Sequence, residues 1–398
     1  MDIQLVDLKA QYKILENELD YITKEVLCST NYIMGKYVAN FEEEFAKYIG
    51  VKHAISVGNG TDALVLALIA CGIGACGIGK GDEVITTPFT FFSTAESISS
   101  IGAIPVFVDV RKDTYNIDPN KIEEKITEKT KAIMPVHIFG QPAEMDQIKE
   151  IARKHNLMVI EDAAQAAGSV YKNEKIGSIG DVGCFSFFPT KNLGCAGDGG
   201  MITTNSDSIA TIIKALRTHG SGENGQKAYN LLNNIDENIE KSEIYDDTVY
   251  NPQKYYNYLI GFNTRLDAIQ AGILSVKLPY LDKWIEKRNL NAKVYYKNLK
   301  HTDLILPKII DSVISGFNMF VIQSENRDEL VEKLRENGIS TGVYYPVPMH
   351  LQKVYKNLGY KKGDMPNAEY LSHRTFAIPI YPEISEDEQN YIIKVIKK

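Results

Sequence analysis

The stretches VIEDAAQAAGS (159–169) and VGCFSFFPTKNLG (182–194) share one pattern, a short apolar run that ends in charged or small residues. Runs of this length that are rich in Val, Ile and Phe predict β-strands. The first run ends at Glu161 and Asp162, and the second leads into a loop that carries Lys191. If the two strands are neighbours in a parallel sheet, their carboxyl ends bring these side chains together.

The same pattern recurs through the first half of the chain. Segments with helical spacing of apolar residues, such as DALVLALIAC (62–71) and MDQIKEIARKH (145–155), separate the apolar runs. This alternation predicts an α/β fold with a mainly parallel sheet of about seven strands and ligands at their carboxyl ends. Besides LMVIED (157–162) and VGCFSFFP (182–189), the predicted strands are HAISVG (53–58), EVITTP (83–88), IPVFVDV (104–110), KAIMPVHI (131–138) and GMITTN (200–205).

The second half of the chain changes character. We predict a large unit over residues 1–280, with a polar, Asn-rich surface insertion at 220–257, and a smaller α+β unit over 281–398. Apolar residues at three- and four-residue spacing over 8–26 predict an amphipathic N-terminal helix, which can pack on either unit.

The composition argues against several classes of protein. The 398 residues carry a formal net charge of −7 and no Lys/Arg block, which argues against a nucleic-acid partner. The longest uncharged run, 63–79, is broken by glycines and is short for a membrane span. The five cysteines form no CxxC pair, so we expect neither a disulfide framework nor a metal site. With no export signal at the start, we expect a cytoplasmic protein.

The turn VGNGTDAL (57–64) joins the first predicted strand to a helix. Gly60 and Thr61 present backbone N–H groups and a hydroxyl at a positive helix end, an arrangement that holds phosphate. The letters GNGTDA also fit the dinucleotide pattern G-x-G-x-x-A, which requires an acidic residue that closes the second strand. That strand closes in a Thr-Pro pair, so a phosphate site is favoured over a dinucleotide site, with a plain N-cap turn as the other alternative.

Asp162 and Lys191 are candidate reacting groups. A carboxylate at the end of a buried strand needs a positive partner, such as a protonated heterocyclic nitrogen, unless it caps a helix in AAQAA (163–167). A lysine that is kept neutral in a partly desolvated site forms a Schiff base with an aldehyde, whereas most lysines are solvated surface charges. Together with the phosphate turn, these groups are the parts of a pyridoxal phosphate (PLP) site.

Two stretches of the sequence carry aromatic residues that could belong either to the site or to the core. A phenylalanine of TPFTFFST (87–94) at the strand end can stack on a pyridine ring instead of joining the core. We predict that Phe187 and Phe188, a few residues before Lys191, belong to the core.

These residues resemble the sugar aminotransferases of the DegT/DnrJ/EryC1/StrS group, which are PLP enzymes of the aspartate aminotransferase fold. The resemblance covers nearly the whole chain and implies a PLP-dependent transferase of fold type I. The segments that carry it are IQLVDLKAQY (3–12), YIMGKYVANFEEEFAKYIGVKHAISVGNGTDAL (32–64), EDAAQAAGS (161–169), SFFPTKNLGCAGDGG (186–200), GFNTRLDAIQAGIL (261–274) and YYPVPMHLQ (344–352).

The resemblance implies a role for each matched residue. Lys191 forms the Schiff base with the cofactor aldehyde, Asp162 pairs with the pyridinium nitrogen, and Gln165 lies near the ring hydroxyl. Asn263 reaches the phosphate in the second subunit, which implies a homodimer with shared active sites; without the resemblance, Asn263 is a helix N-cap. The other positions are Gly60, Thr61 and Ser186 for the phosphate, Phe91 for stacking on the ring, and Tyr344, Tyr345 and His350 for the sugar.

The resemblance also implies the reaction, a two-step transamination from L-glutamate to a nucleotide-linked keto-sugar. The form SFFPTKNLGCAGDGG is similar to that of members acting on 3-keto sugars, which favours a dTDP-linked 3-keto-6-deoxyhexose or a UDP-linked 3-keto hexuronate; a 4-keto sugar is the alternative. Asn318 and Gln323 stand where His and Arg are frequent in the family, and Ala167 stands where many members have a bulkier residue. These departures concern the substrate pocket.

Three rival functions are disfavoured. A PLP-dependent sugar dehydratase of this fold typically has His in place of Lys191. A non-catalytic regulator or binding protein has no need of Lys191, Asp162 and Ser186 together. An NAD-dependent oxidoreductase lacks its ribose carboxylate here.

Overall fold

The structure is a computed structural model that describes residues 1–72, 80–235 and 255–398. The helices are α1 (Leu8–Ser29), α2 (Lys36–Ile49), α3 (Gly60–Ala70), α4 (Ser93–Ser100), α5 (Met145–His155), α6 (Asp207–Leu216), α7 (Gly222–Leu232), α8 (Ala268–Lys277), α9 (Leu281–Leu299), α10 (Arg327–Glu336), α11 (Pro366–Arg374) and α12 (Glu386–Lys397). The strands are β1 (His53–Val57), β2 (Glu83–Thr86), β3 (Ile104–Phe107), β4 (Thr130–Ile133), β5 (Met158–Asp162), β6 (Val170–Tyr171), β7 (Glu174–Lys175), β8 (Val182–Ser186), β9 (Gly200–Thr204), β10 (Val313–Ile314), β11 (Phe320–Gln323) and β12 (Thr375–Ile378).

The main sheet has seven strands in the order β1-β9-β8-β5-β4-β2-β3. β9 runs antiparallel to its neighbours β1 and β8, and the other pairs are parallel. The prediction of an α/β fold with a seven-stranded, mainly parallel sheet is therefore confirmed. β5 and β8 pair side by side, with Asp162 opposite Cys184, so the strands that precede the Asp162 and Lys191 loops are neighbours.

The strands of this sheet are apolar on both faces because helices cover both. On β5, Val159 packs into one core with α2, α5 and α8, while Ile160 packs into a second core with α3 and α6. This alternation follows from the two-residue period of a strand. Leu15, Leu19 and Val26 of α1 join the first core, where α1 packs beside α8. The N-terminal helix therefore packs on the large sheet.

A further core lies towards the C-terminus. It is built from the antiparallel pair of β11 and β12, from α10 and α12, and from the second half of α9. Ile3 also joins it, through a bridge with Ile339. Trp284 of α9 packs in the first core and Tyr295 of α9 in this one. Because α9 contributes to both cores, a boundary at 280/281 stays a prediction.

The helix α7 lies inside the segment that the sequence predicts as a polar insertion. The sequence does not predict this helix, because its buried residues are the small Gly225 and Ala228 and not the large apolar residues that mark an amphipathic helix. A Cβ at Gly225 would lie 2.1 Å from the carbonyl oxygen of Gly220, so this close approach requires glycine. Residues 236–254 of the predicted insertion lie outside the described residues.

Candidate active site

A cavity of about 630 Å³ opens at the carboxyl ends of β5 and β8, beside the first turn of α3. This is the edge at which a parallel α/β sheet is expected to bind ligands. Most of the predicted site residues line it, from five separate parts of the chain. These residues are Gly60, Thr61, Phe91, Asp162, Gln165, Ser186, Lys191, Tyr344 and Tyr345.

Asp162, the last residue of β5, is 4% exposed. Its Oδ2 accepts a hydrogen bond from the Thr94 hydroxyl at 2.7 Å, and its Oδ1 accepts one from the Ala164 amide at 3.2 Å. Burial raises the pKa of the Asp162 carboxyl above its ordinary value, although these bonds and the Lys191 charge oppose the rise. The following residues form turns and not a helix, so Asp162 does not cap a helix over 163–167.

Glu161 points to the other side of the sheet and is fully satisfied. Its carboxylate accepts hydrogen bonds from the backbone amides of Gly177, Ile179 and Gly180 at 2.7 to 2.9 Å. His137 Nε2 lies 3.0 Å from Glu161, and the Nδ1 of the same ring accepts a hydrogen bond from a backbone amide, so Nε2 is the donor. Burial alone would raise the pKa of Glu161, but these donors hold it below its ordinary value. Glu161 therefore supports the fold.

Lys191 lies half-buried in the loop after β8. Burial lowers the pKa of its amine to about 8, against an opposing effect of the Asp162 carboxylate. The loop is fixed by a turn bond from the Lys191 amide to the Phe188 carbonyl at 2.8 Å and by Lys277 Nζ, which donates to the Gly194 carbonyl at 2.7 Å. An amine with this pKa is partly neutral near pH 7 and can act as a nucleophile, unlike a solvated surface lysine.

The turn before α3 forms a small cradle. The Asn59 side chain caps the helix by accepting from the Asp62 amide at 2.8 Å, while the first-turn amides of Gly60 and Thr61 have no acceptor within the helix. Ser186 closes the other side: a Cβ at Gly60 would lie 2.7 Å from the Ser186 Cβ. Amides, a hydroxyl and a positive helix end in a space that only glycine leaves open suit a phosphate group.

Ser93 is a cradle residue that sequence reasoning missed. Its hydroxyl lies 2.8 Å from the Thr61 hydroxyl, and it lines the cavity. The sequence signal for Ser93 is the group of hydroxyl-bearing residues in TPFTFFST (87–94), a stretch interpreted above only for its phenylalanines. The dinucleotide alternative has no support, because Glu83 opens β2 and accepts from the Thr127 hydroxyl at the opposite edge of the sheet.

The aromatic residues divide between core and cavity. Phe89 and Phe187 are buried, whereas Phe91 is 59% exposed and Phe188 is 50% exposed, and both of the exposed rings line the cavity. The prediction that Phe188 belongs to the core is wrong, because the turn after β8 directs this ring outwards and Phe187 inwards. Phe91 lines the cavity, and its stacking on a cofactor ring stays a prediction.

The tyrosines reach the cavity from the C-terminal part of the chain. Tyr345 accepts a hydrogen bond from Gln165 Nε2 at 3.0 Å, and Gln165 Oε1 in turn accepts from the Phe139 amide at 2.8 Å. Tyr344 lines the same wall. This chain of bonds ties the orientation of Gln165 to the position of the 344–345 segment.

Two predicted site residues lie outside this cavity. Asn263 is exposed, and the adjacent Thr264 binds Asp62 of the phosphate turn at 2.5 Å. Asn263 is not the N-cap of α8, because the Asp267 side chain fills that role. His350 is 1% exposed, with its Nε2 3.0 Å from Glu369, so in this conformation it packs below the surface. Its role as a substrate contact stays a prediction.

The family departures lie behind the cavity wall. Asn318 donates to the Thr190 carbonyl at 3.3 Å and thereby supports the loop of Lys191. Gln323 is buried in β11 and donates to the Lys112 carbonyl at 3.0 Å, away from the cavity. Ala167 is buried in the first core. Of these three positions, Asn318 is the one placed to affect the site.

The residues present fit pyridoxal phosphate. The buried Asp162 carboxylate lines the cavity with a raised pKa and so suits a positive ring nitrogen, the Gly60 cradle suits a phosphate, and Lys191 lines the same cavity with a lowered pKa. A mainly parallel sheet with these three groups at its carboxyl edge defines a PLP-dependent enzyme of fold type I.

Comparison with known proteins gives the family. The model of the DegT/DnrJ/EryC1/StrS aminotransferase family matches residues 13–397, and the chain belongs to this family, whose aminotransferases are PLP-dependent. It is 44% identical to a "pleiotropic regulatory protein" of Geobacillus stearothermophilus, over 100% of this chain and 98% of the relative. It is 38% identical to the UDP-N-acetyl-3-dehydro-alpha-D-glucosamine 3-aminotransferase of Acidithiobacillus ferrooxidans, over 100% and 97%.

Solved structures agree with this assignment. The crystal structure of S. venezuelae DesV superposes with a TM-score of 0.88 at 35% identity, covering 100% of this chain and 98% of that one. NtdA from Bacillus subtilis, solved with bound cofactor PMP, superposes with a TM-score of 0.81 at 28% identity, covering 99% and 83%. The protein is therefore an aminotransferase of this family with fold type I.

Two kinds of feature are absent from the part of the chain that the structure describes. Within 1–72, 80–235 and 255–398, no helix is long and apolar enough to cross a membrane. Across the same ranges, no group of three or more His, Cys, Asp or Glu side chains is arranged to hold a metal ion.

Proposed function

We propose that this aminotransferase moves an amino group from L-glutamate to a nucleotide-linked 3-keto hexose in the cytoplasm, in the biosynthesis of an amino sugar. The observation that carries the proposal is the meeting of Lys191, Asp162 and the Gly60–Ser186 cradle in one cavity. The preferred substrates are a dTDP-linked 3-keto-6-deoxyhexose and a UDP-linked 3-keto hexuronate. The name of the A. ferrooxidans relative, a 3-aminotransferase of a UDP-sugar, supports amination at C3.

Lys191 and Asp162 carry the chemistry in this proposal. Bound PLP supplies an aldehyde carbon that amines attack and a ring that accepts electrons. Lys191 Nζ, with a pKa of about 8, would be the group that takes up the proton lost by the substrate carbon and gives it back. Asp162 pairs with the protonated ring nitrogen, which keeps the ring electron-poor. Gln165 would hold the ring hydroxyl and Phe91 would cover one face of the ring, since both line the cavity.

Gly60, Thr61 and Ser186 bind the phosphate in this proposal, with Ser93 beside them. Backbone amides at the start of α3 and three hydroxyls offer hydrogen bonds to the phosphate oxygens without a formal positive charge. The phosphate thus anchors one end of the cofactor while Lys191 binds the other. Tyr344 and Tyr345 contact the sugar from the C-terminal wall, and His350 completes that group.

A second subunit completes the site in this proposal. Among the described residues that line the cavity, Lys191 is the single cation, whereas a nucleotide carries several negative charges. Asn263 is exposed on a segment with two exposed apolar residues, Ile260 at 93% and Phe262. Exposed apolar surface beside an open site is typical of a subunit interface. We therefore place Asn263 at the phosphate of the neighbouring subunit in a homodimer.

A panel of nucleotide sugars tests the substrate. Purified protein with PLP is mixed with L-glutamate and with matched 3-keto and 4-keto sugars linked to dTDP or UDP, and amino-sugar formation is followed by mass spectrometry. Turnover of a 3-keto sugar is expected. Turnover of 4-keto sugars alone would refute the C3 assignment, and an amino donor other than L-glutamate as the better substrate would refute the donor.

Mixed dimers test the shared site. Lys191→Ala subunits and Asn263→Asp subunits are each expected to be inactive, while heterodimers regain part of the activity because one of the two sites then lacks both changes. Mixing Lys191→Ala with Asp162→Asn subunits is the control, since both residues belong to one chain's cavity. Verified heterodimers of the first pair that stay inactive would contradict the role of Asn263.

A further inference from the structure

Behind Asp162 lies a chain of two hydroxyl groups that the function described so far does not use. Thr94, in the first turn of α4, donates to Asp162 Oδ2 at 2.7 Å. The Thr90 and Thr94 hydroxyl oxygens lie 2.9 Å apart. Both threonines are buried at 1% exposure, and both contribute to the cavity wall.

The protons of this chain can be assigned from Asp162. An ionised carboxylate accepts hydrogen bonds and donates none. Thr94 therefore gives its single hydroxyl proton to Asp162, and Thr90 must donate to the Thr94 oxygen. Consecutive hydroxyl bonds polarise each other, so the chain ends in a strengthened donor aimed at Oδ2. It favours the ionised form of Asp162 and fixes the plane of the carboxylate.

The other groups around Asp162 do less to favour the anion. Burial opposes ionisation, and Thr94 is the strongest of the contacts that promote it, ahead of the Ala164 amide and Lys191. His137 contributes least among these contacts, and its two ring nitrogens are engaged by Glu161 and by the Ala143 amide. The titratable groups that interact with Asp162 from the surrounding elements are Lys191, His137, Cys184 and Tyr345.

We propose that Thr94 is a positioning residue, supported by Thr90, which holds Asp162 as an oriented anion for the ring nitrogen of the cofactor. The proposal rests on the role of Asp162 in the proposed function. It extends that role to two residues that do not touch the reacting atoms, and it explains why hydroxyl-bearing residues are buried at the start of α4. Thr94 acts through Asp162, so its loss changes the acid–base behaviour of the site.

The test is the pH dependence of cofactor binding to apo-protein, followed by the absorbance of bound PLP between about pH 5 and 9. Thr94→Val keeps the shape and removes the hydroxyl. We expect about tenfold weaker binding and an acid limb that lies about one pH unit higher, because a hydrogen bond to a charged group contributes on that scale. Thr94→Ser restores the wild-type profile, and Thr90→Val gives a smaller shift in the same direction.

Ser97→Ala is the matched control. Ser97 is a buried hydroxyl on the same helix, and it donates to the Thr94 carbonyl at 3.0 Å without facing Asp162. An unchanged acid limb in Thr94→Val, or an equal shift in Ser97→Ala, would overturn the proposal. If Thr94→Val does not fold, the proposal is tested with Thr90→Val and Thr94→Ser instead. An acid limb that does not shift in Thr90→Val would then overturn the proposal.

This test is separate from that of the proposed function. Binding of PLP is measured without any sugar, so a protein that aminates no 3-keto sugar can still show the Thr94 shift. In that case the substrate assignment fails and the positioning role stands. If the protein aminates a 3-keto sugar and Thr94→Val keeps the wild-type profile, the positioning role alone fails.

Discussion

Glu161 and Asp162 are consecutive residues of β5, and both are buried. Their surroundings shift the pKa values of the two carboxyls in opposite directions. Glu161 accepts hydrogen bonds from three backbone amides and His137, and its pKa is lowered. Asp162 accepts one hydroxyl and one amide, faces the cavity, and has a raised pKa. A buried carboxylate with complete hydrogen bonds supports the fold, whereas a buried carboxylate that faces a cavity with a raised pKa is suited to bind a positively charged group of a ligand.

The largest effect is expected from Asp162→Asn. The amide cannot pair as an anion with a protonated ring nitrogen, so we expect kcat for transamination to fall by about 10³-fold. The control is the unfolding of apo-protein in urea, which we expect to show no loss of stability. An Asp162→Asn variant whose kcat stays within about tenfold of wild type would contradict the assignment of Asp162 to the active site and of Glu161 to the fold.

Glu161→Gln is expected to give the opposite pattern. The amide of glutamine cannot accept from all four donors, and its own N–H groups would meet the backbone amides. Breaking a buried, paired carboxylate in this way lowers the free energy of unfolding by about 3 kcal/mol. Urea denaturation of the apo-protein measures this, with Asp162→Asn as the matched substitution one residue away. Equal stability of the two variants would contradict the assignment of Glu161 to the fold.

The smallest effect is a difference in pH dependence. The raised pKa of Asp162 means that its ionised form destabilises the folded apo-protein, so apo Asp162→Asn should be slightly more stable than wild type at pH 8. The gap should close as the pH falls below the ordinary Asp value of about 3.9, where the carboxyl is protonated in both the folded and the unfolded state. PLP should reverse the order of stability. For Glu161 the sign is opposite: its lowered pKa adds stability at neutral pH, which is lost on acidification.

Glu161 and Asp162 also show which parts of the fold and the site can be predicted from the sequence. Period-two alternation and the βα order predicted the sheet, and the ends of β5 and β8 placed Asp162 near Lys191. The sequence did not distinguish Glu161 from Asp162, because three of the four donors to Glu161 are backbone amides of residues 177–180, which carry no sequence signal. Thr94 was hidden in the same way, since its contact with Asp162 joins positions 68 residues apart.

Turn geometry accounts for the other misses. Phe187 and Phe188 look alike in the sequence, and the direction in which the chain leaves β8 puts one in the core and the other in the cavity. The helix α7 escaped detection because its sequence is polar and its packing depends on a glycine contact. The direction of the backbone after a strand and the close approach of two backbone segments both depend on the three-dimensional structure, so the sequence alone does not predict them.

The absorbance of the purified protein tests the central claim, that Lys191 and Asp162 hold the two ends of one cofactor ring. Wild-type protein with added PLP should show a yellow band that bleaches with L-glutamate. Lys191→Ala should lack this band, and Asp162→Asn should keep it but bleach far more slowly. A colourless wild-type protein that takes up no PLP, or a Lys191→Ala variant with the wild-type spectrum, would contradict the account.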